Sequence, residues 1–95
     1  MAYTLNWTPQ ANQTLYELTD FVAELWDAET VSTFVDRVYK SIDRLGTHPE
    51  IGQIFDAEKG IRSYLIKPYT RLYYVIGDQE IILIAFADTR RSLNK

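Results

Sequence analysis

The chain has no cysteine among its 95 residues. That excludes disulfide frameworks, zinc–thiolate sites and cysteine nucleophiles, and it fits a reducing cytoplasm, the expected compartment. There is one histidine, His48, set beside Pro49. A paired-histidine ribonuclease site is therefore impossible, as is a histidine-rich metal site, and no glycine-framed nucleophile motif accompanies His48. The four glycines stand singly at 46, 52, 60 and 77, so no glycine loop can cradle a phosphate. No cofactor and no metal are expected. The longest apolar run, Ile81 to Ala87, is the length of a strand, far short of the roughly 20 residues of a membrane helix. The opening residues form neither a basic nor an apolar leader. Repeats and low-complexity tracts are absent, and one domain is expected over residues 1–95.

What the chain does contain is ample core material, with 46% hydrophobic and 14% aromatic residues. Tyr3, Leu5 and Trp7 alternate with polar residues, the pattern of a short strand with one buried face. Thr8-Pro9 reads as an N-cap followed by proline at the first helical position, where its missing N–H costs nothing. Ala11, Leu15, Leu18, Val22 and Leu25 then make the stripe of an amphipathic helix ending near Trp26. Asp27 can cap a second helix with Val31, Phe34, Val35, Val38, Ile42 and Leu45 on its apolar face, and Gly46 is suited to the left-handed position that closes it. Residues 47–60 read as an irregular connection. Three strands follow: residues 61–67, interrupted by Pro68; residues 71–76, with turn chemistry at Gly77-Asp78; and residues 80–87. The last is nearly unbroken in apolar character and is expected to be covered on both faces. The fold class is thus α+β in the order β-α-α-β-β-β, a helical hairpin on a small, mostly antiparallel sheet.

Net charge is −3, but it is unevenly spread. Residues 1–60 hold ten acidic and four basic side chains, whereas residues 61–95 hold six basic and three acidic ones. Such asymmetry points to a polyanion or an acidic partner at one face. Arg62, Arg71 and the pair Arg90-Arg91 lie on or just after the late strands, with Lys67 between the first two of them. Guanidinium groups there could clamp phosphates or stabilise a phosphorane-like transition state. Tyr64, Tyr69, Tyr73 and Tyr74 favour strand packing, with Tyr64 the functional candidate.

Several phrases carry a resemblance to a known family: Trp7-Thr8-Pro9-Gln10-Ala11, His48-Pro49-Glu50-Ile51-Gly52, Ile61-Arg62-Ser63-Tyr64, Tyr69-Thr70-Arg71-Leu72-Tyr73-Tyr74-Val75 and Phe86-Ala87-Asp88-Thr89-Arg90-Arg91. In this order and spacing, the chain resembles the RelE/ParE toxin superfamily over essentially its whole length. The resemblance implies the toxin of a type II toxin–antitoxin system, acting by ribosome-dependent mRNA cleavage. Alternatives within and beside it are ParE-like inhibition of DNA gyrase and an attenuated module that only binds antitoxin. Implied partners are a cognate antitoxin and either the ribosome with mRNA or DNA gyrase, with no membrane, and a homodimer when antitoxin is absent. By position, Arg71 matches the arginine that opens the third strand of RelE-like toxins, and Arg91 the one just after the last strand. Arg62 and Tyr64 fall where lysines are common. The resemblance thus makes Arg62, Tyr64, Arg71 and Arg91 catalytic candidates, with Arg90 and Lys67 as substrate-binding ones. Two departures stand out: Ser92 to Lys95 contains no tyrosine, and the chain is net acidic. Arg62, Arg71 and Arg91 are expected to converge in one concave patch on the sheet, covered by antitoxin together with apolar sheet surface.

Overall fold

A computed structural model describes residues 3–90. A short strand, β1 (Thr4–Trp7), leads into helix α1 (Pro9–Leu25) and helix α2 (Ala28–Thr47). A 3-10 turn, Pro49–Ile51, precedes β2 (Gln53–Asp56), β3 (Ile61–Ile66), β4 (Thr70–Ile76) and β5 (Glu80–Asp88). The five strands form one sheet in the order β1-β5-β4-β3-β2. Only the β1–β5 pair is parallel; the others are antiparallel. The fold is α+β, two helices on a mostly antiparallel sheet. No helix among the described residues is long and apolar enough to cross a membrane.

The helix starts follow from their caps. The Thr8 hydroxyl accepts from Ala11 N at 3.1 Å and donates to Leu83 O at 2.7 Å, so one side chain caps α1 and ties it to β5. The Asp27 carboxylate accepts from Thr30 N at 2.9 Å, and hydrogen bonding from the Thr30 side chain, then from that N–H, holds its carboxyl below the ordinary carboxylate range. Helix α2 runs through Gly46, which is buried in the helix and not left-handed. The helix stops at Pro49 instead, since the residue before a proline is pushed out of helical geometry. Gly46 contributes its carbonyl, which accepts from Tyr3 N at 2.8 Å and links the end of α2 to the start of β1.

The core lies between the hairpin and one face of the sheet: Ala11, Leu18, Val38, Ile42 and Leu45 meet Ile66, Leu72, Tyr74, Ile81, Leu83 and Phe86. Leu25, expected on the buried stripe, is 55% exposed at the end of α1. β5 is paired along both edges but covered by helices on one face only, with Ile82 and Ala87 half-buried on the other. Its long apolar run therefore marks a central strand with an apolar open face. Between β4 and β5 the left-handed residue is Gln79, at φ 62°, and not Gly77.

The stretch read as irregular contains β2, and its placement depends on one phenol. The Tyr74 hydroxyl donates to Pro49 O at 2.6 Å and accepts from Gly52 N at 3.0 Å. A Cβ at Gly52 would collide with that hydroxyl and sit 2.9 Å from Ser63 O, so only glycine fits. Tyr74→Phe leaves a buried N–H and carbonyl unpaired and should cost about 1–3 kcal/mol in denaturant unfolding. Burial holds the Tyr74 phenol above its ordinary value of 10.0, favouring the neutral form in the fold. Its contribution is therefore full below that pH and lost as pH rises past it, and unfolding scans should show the phenylalanine variant lacking this alkaline loss.

Candidate functional site

Side chains alternate across a strand, so the β3–β4 register decides which candidates meet. Arg62 stands opposite Tyr74 and Tyr64 opposite Leu72, both on the helix-covered face. Arg71 stands opposite Leu65, on the open face. Arg62 and Arg71 are thus separated by the sheet itself, and the expected shared patch does not form. The reason is parity: in this register even-numbered residues of both strands point one way and odd-numbered ones the other. Arg91 lies outside the described residues.

The two arginines are also differently engaged. Arg62 Nη1 donates to Gly52 O at 2.8 Å and Glu50 O at 3.4 Å, bracing the turn that Tyr74 holds from below. Arg71 Nη1 donates to Ser63 Oγ at 3.1 Å. Around Arg71 the open face is apolar, with Leu65, Tyr73 and Ala87 nearby in register and Phe55 packed edge-on against Tyr73 at 4.9 Å. An isolated guanidinium on an apolar, aromatic surface is suited to recognition of a carboxylate or phosphate on a docked partner.

Lys67 and Arg90 do come together, at a groove between the two helices and the β3–β4 turn. Its walls are Leu18, Val22, Phe34 and Ile66, its lip is Trp26 and Tyr69, and Arg37, Lys67, Asp88 and Arg90 edge it. The Arg90 guanidinium lies 4.0 Å from the Tyr69 ring centre and 5.7 Å from that of Trp26. It forks onto the buried Asp88 carboxylate, with Nη2 at 2.8 Å and Nε at 3.2 Å. Those bonds hold Arg90 even more firmly protonated than usual. Arg37 and Trp26 are the groove residues that sequence reasoning missed. Arg37 follows the apolar positions of α2 without belonging to them, and only the packing of α2 against the turn brings its Nη1 to 3.4 Å from Lys67 O.

A model of the ParE toxin of type II toxin–antitoxin systems matches residues 5–93. The chain belongs to this family. It is a type II toxin of the wider ParE/RelE superfamily. No curated protein sequence matches it. Among solved structures, it is similar to a chain of the chromosomal ParDE system from P. aeruginosa, at TM-score 0.78 and 17% identity, covering 92% of this chain and 96% of that one. A chain of the RelBE2 toxin–antitoxin complex from Mycobacterium tuberculosis gives 0.64 at 18% identity, over 93% and 99%. The HP0894 protein from Helicobacter pylori gives 0.60 at 19%, over 93% and 96%. At these identities the likeness is one of fold.

For this ParE-family toxin the Asp88–Arg90 fork pins the chain just before Arg91. Asp88→Asn should lower stability by about 1–2 kcal/mol, reduced by the partial exposure of Arg90. Equilibrium unfolding measures it, and an unchanged midpoint would show that the pair adds nothing.

Proposed function

We propose that this toxin arrests growth by gripping a protein target, DNA gyrase, and that a cognate antitoxin neutralises it. The observation that supports this reading is the separation of Arg62 and Arg71 by the sheet. Cleaving a phosphodiester needs a base, an acid and a charge stabiliser held around one phosphate, within hydrogen-bond reach. Arg62 is instead engaged with backbone carbonyls, and Tyr64 packs against the core on the same side. Gripping a protein asks for less: an apolar surface with a few oriented cations. Arg71 among Leu65, Tyr73 and Ala87 meets that description. The net charge of −3 also favours a protein target over the RNA-rich ribosome. The match to the ParE family agrees with this choice. In this reading Arg71 and Arg91 are contact residues for the target, and Arg62 is a positioning residue for the β2 turn.

The reading is tested by controlled expression in bacteria with pulse-labelling of protein and DNA synthesis within minutes of induction. DNA synthesis should fall first, with filamentation and an SOS response, while translation continues. Arg71→Glu should restore colony formation at least about tenfold, since charge reversal in a contact patch costs more than truncation. Early translation arrest with cut transcripts would overturn the gyrase reading in favour of ribosome-dependent cleavage. Normal growth would leave an antitoxin-binding module without toxicity.

A further inference from the structure

The sheet ends in two edges, β1 and β2, and the two are built differently. On β1 the exposed residues Thr4 and Asn6 are polar, while Leu5 and Trp7 pack against the core. That is the ordinary make-up of a strand that remains an edge. β2 is apolar on both faces. Ile54 stands opposite Arg62 on the helix-covered side and is 63% exposed, whereas Phe55 packs on Tyr73 at the open side and is 61% exposed. Ile51, in the 3-10 turn just before, is 40% exposed. Apolar side chains on both faces suit a strand inside a sheet, and the unpaired N–H and C=O groups along an edge are a template for a further strand.

Charge decides which strand fits. Glu50 stands four residues before Ile54, and Lys59 stands four residues after Phe55. Both are exposed, and neither joins an ion pair among the described residues. Two β2 strands set antiparallel about a two-fold axis at Ile54 and Phe55 therefore carry Glu50 of each copy towards Lys59 of the other. The apolar residues meet between these pairs, Ile51 and Ile54 on one face and Phe55 on the other. Opposite charges equally spaced from one centre give the self-complementarity that an isologous contact requires. An extended segment of unlike sequence would gain the ladder bonds but has no built-in partner for both Glu50 and Lys59. A nucleic acid would meet Glu50, Asp56 and Glu58 around the apolar side chains and be repelled.

We infer that β2 is a self-pairing edge, through which two copies of this chain join antiparallel and merge their five-stranded sheets into one, with Glu50 of each copy facing Lys59 of the other. The inference depends on neither the target reading nor the antitoxin reading. The contact uses up β2 in both copies and leaves only the polar β1 edges, so assembly stops at two. It is also short. A four-residue strand with three apolar anchors buries less than the roughly 1,200 Å² of a standard interface, so the dimer is weak, with a dissociation constant of about 10 μM or above.

The test is sedimentation velocity of the purified full chain, from well below to well above that constant, with hydrogen exchange of the β2 amides at both ends of the range. The mass should rise from one chain to two, and exchange at Gln53–Asp56 should slow in step. Glu50→Lys and Lys59→Glu each set like charges face to face at both ends of the contact, and each should weaken association at least about threefold. The double swap Glu50→Lys/Lys59→Glu should restore it. Phe55→Lys should leave a single chain throughout the range. Thermal melts confirm that each variant is folded. A wild-type chain that stays single at every concentration would overturn the inference, and β2 exchange that slows only when cognate antitoxin is added would give the edge to that partner instead. A dimer that forms equally well with Phe55→Lys and with both single reversals would place the contact elsewhere and overturn it too.

Discussion

The register between β3 and β4 is the constraint on which the rest of the molecule depends. It sets Tyr74 beneath the helices, where its hydroxyl holds the turn before β2. The same register puts Arg62 beside that turn and sends Arg71 to the opposite face. A slip by one residue would exchange the two faces and place Leu72 and Tyr74 in solvent. The core and the distribution of cations are therefore fixed by a single pairing. This pairing is in turn protected by its position inside the sheet, since β3 and β4 are each flanked on both sides.

From this geometry the toxin emerges with two separate surfaces. One is the open sheet face, apolar and aromatic, with Arg71 set into it. The other is the groove on the helix-covered side, with apolar walls and a cationic edge. Arg62 belongs to neither and acts as a brace. The two surfaces present different residues to solvent. The groove nevertheless ends at Arg90, so the two are linked through the last part of the chain.

Much of the fold was legible in the sequence because its signals are local. Thr8-Pro9 and Asp27 mark helix starts through hydrogen bonds to residues three positions away. The helical stripes and the late strands report their own burial. β2 was not legible: it is four residues long, exposed at Gln53, Ile54 and Phe55, and depends on Tyr74 from another strand. Gly46 misled because a glycine after an apolar stripe usually closes a helix, whereas here Pro49 does so. The site was legible by residue type but not by arrangement. The parity of Arg62 and Arg71 could have been inferred once the turn at residues 67–69 was fixed, whereas the groove draws Leu18, Trp26, Arg37, Lys67 and Arg90 from separate elements and has no linear signature.

The most direct measurement places the purified toxin in two parallel reactions, one with purified gyrase and relaxed plasmid, the other with ribosomes translating a defined message. Supercoiling should be blocked, or broken DNA should accumulate, at toxin concentrations where the message stays intact. Cleavage of the message on the ribosome, with gyrase unaffected, would contradict this and would mean that arginines on opposite faces of the sheet are no obstacle to catalysis.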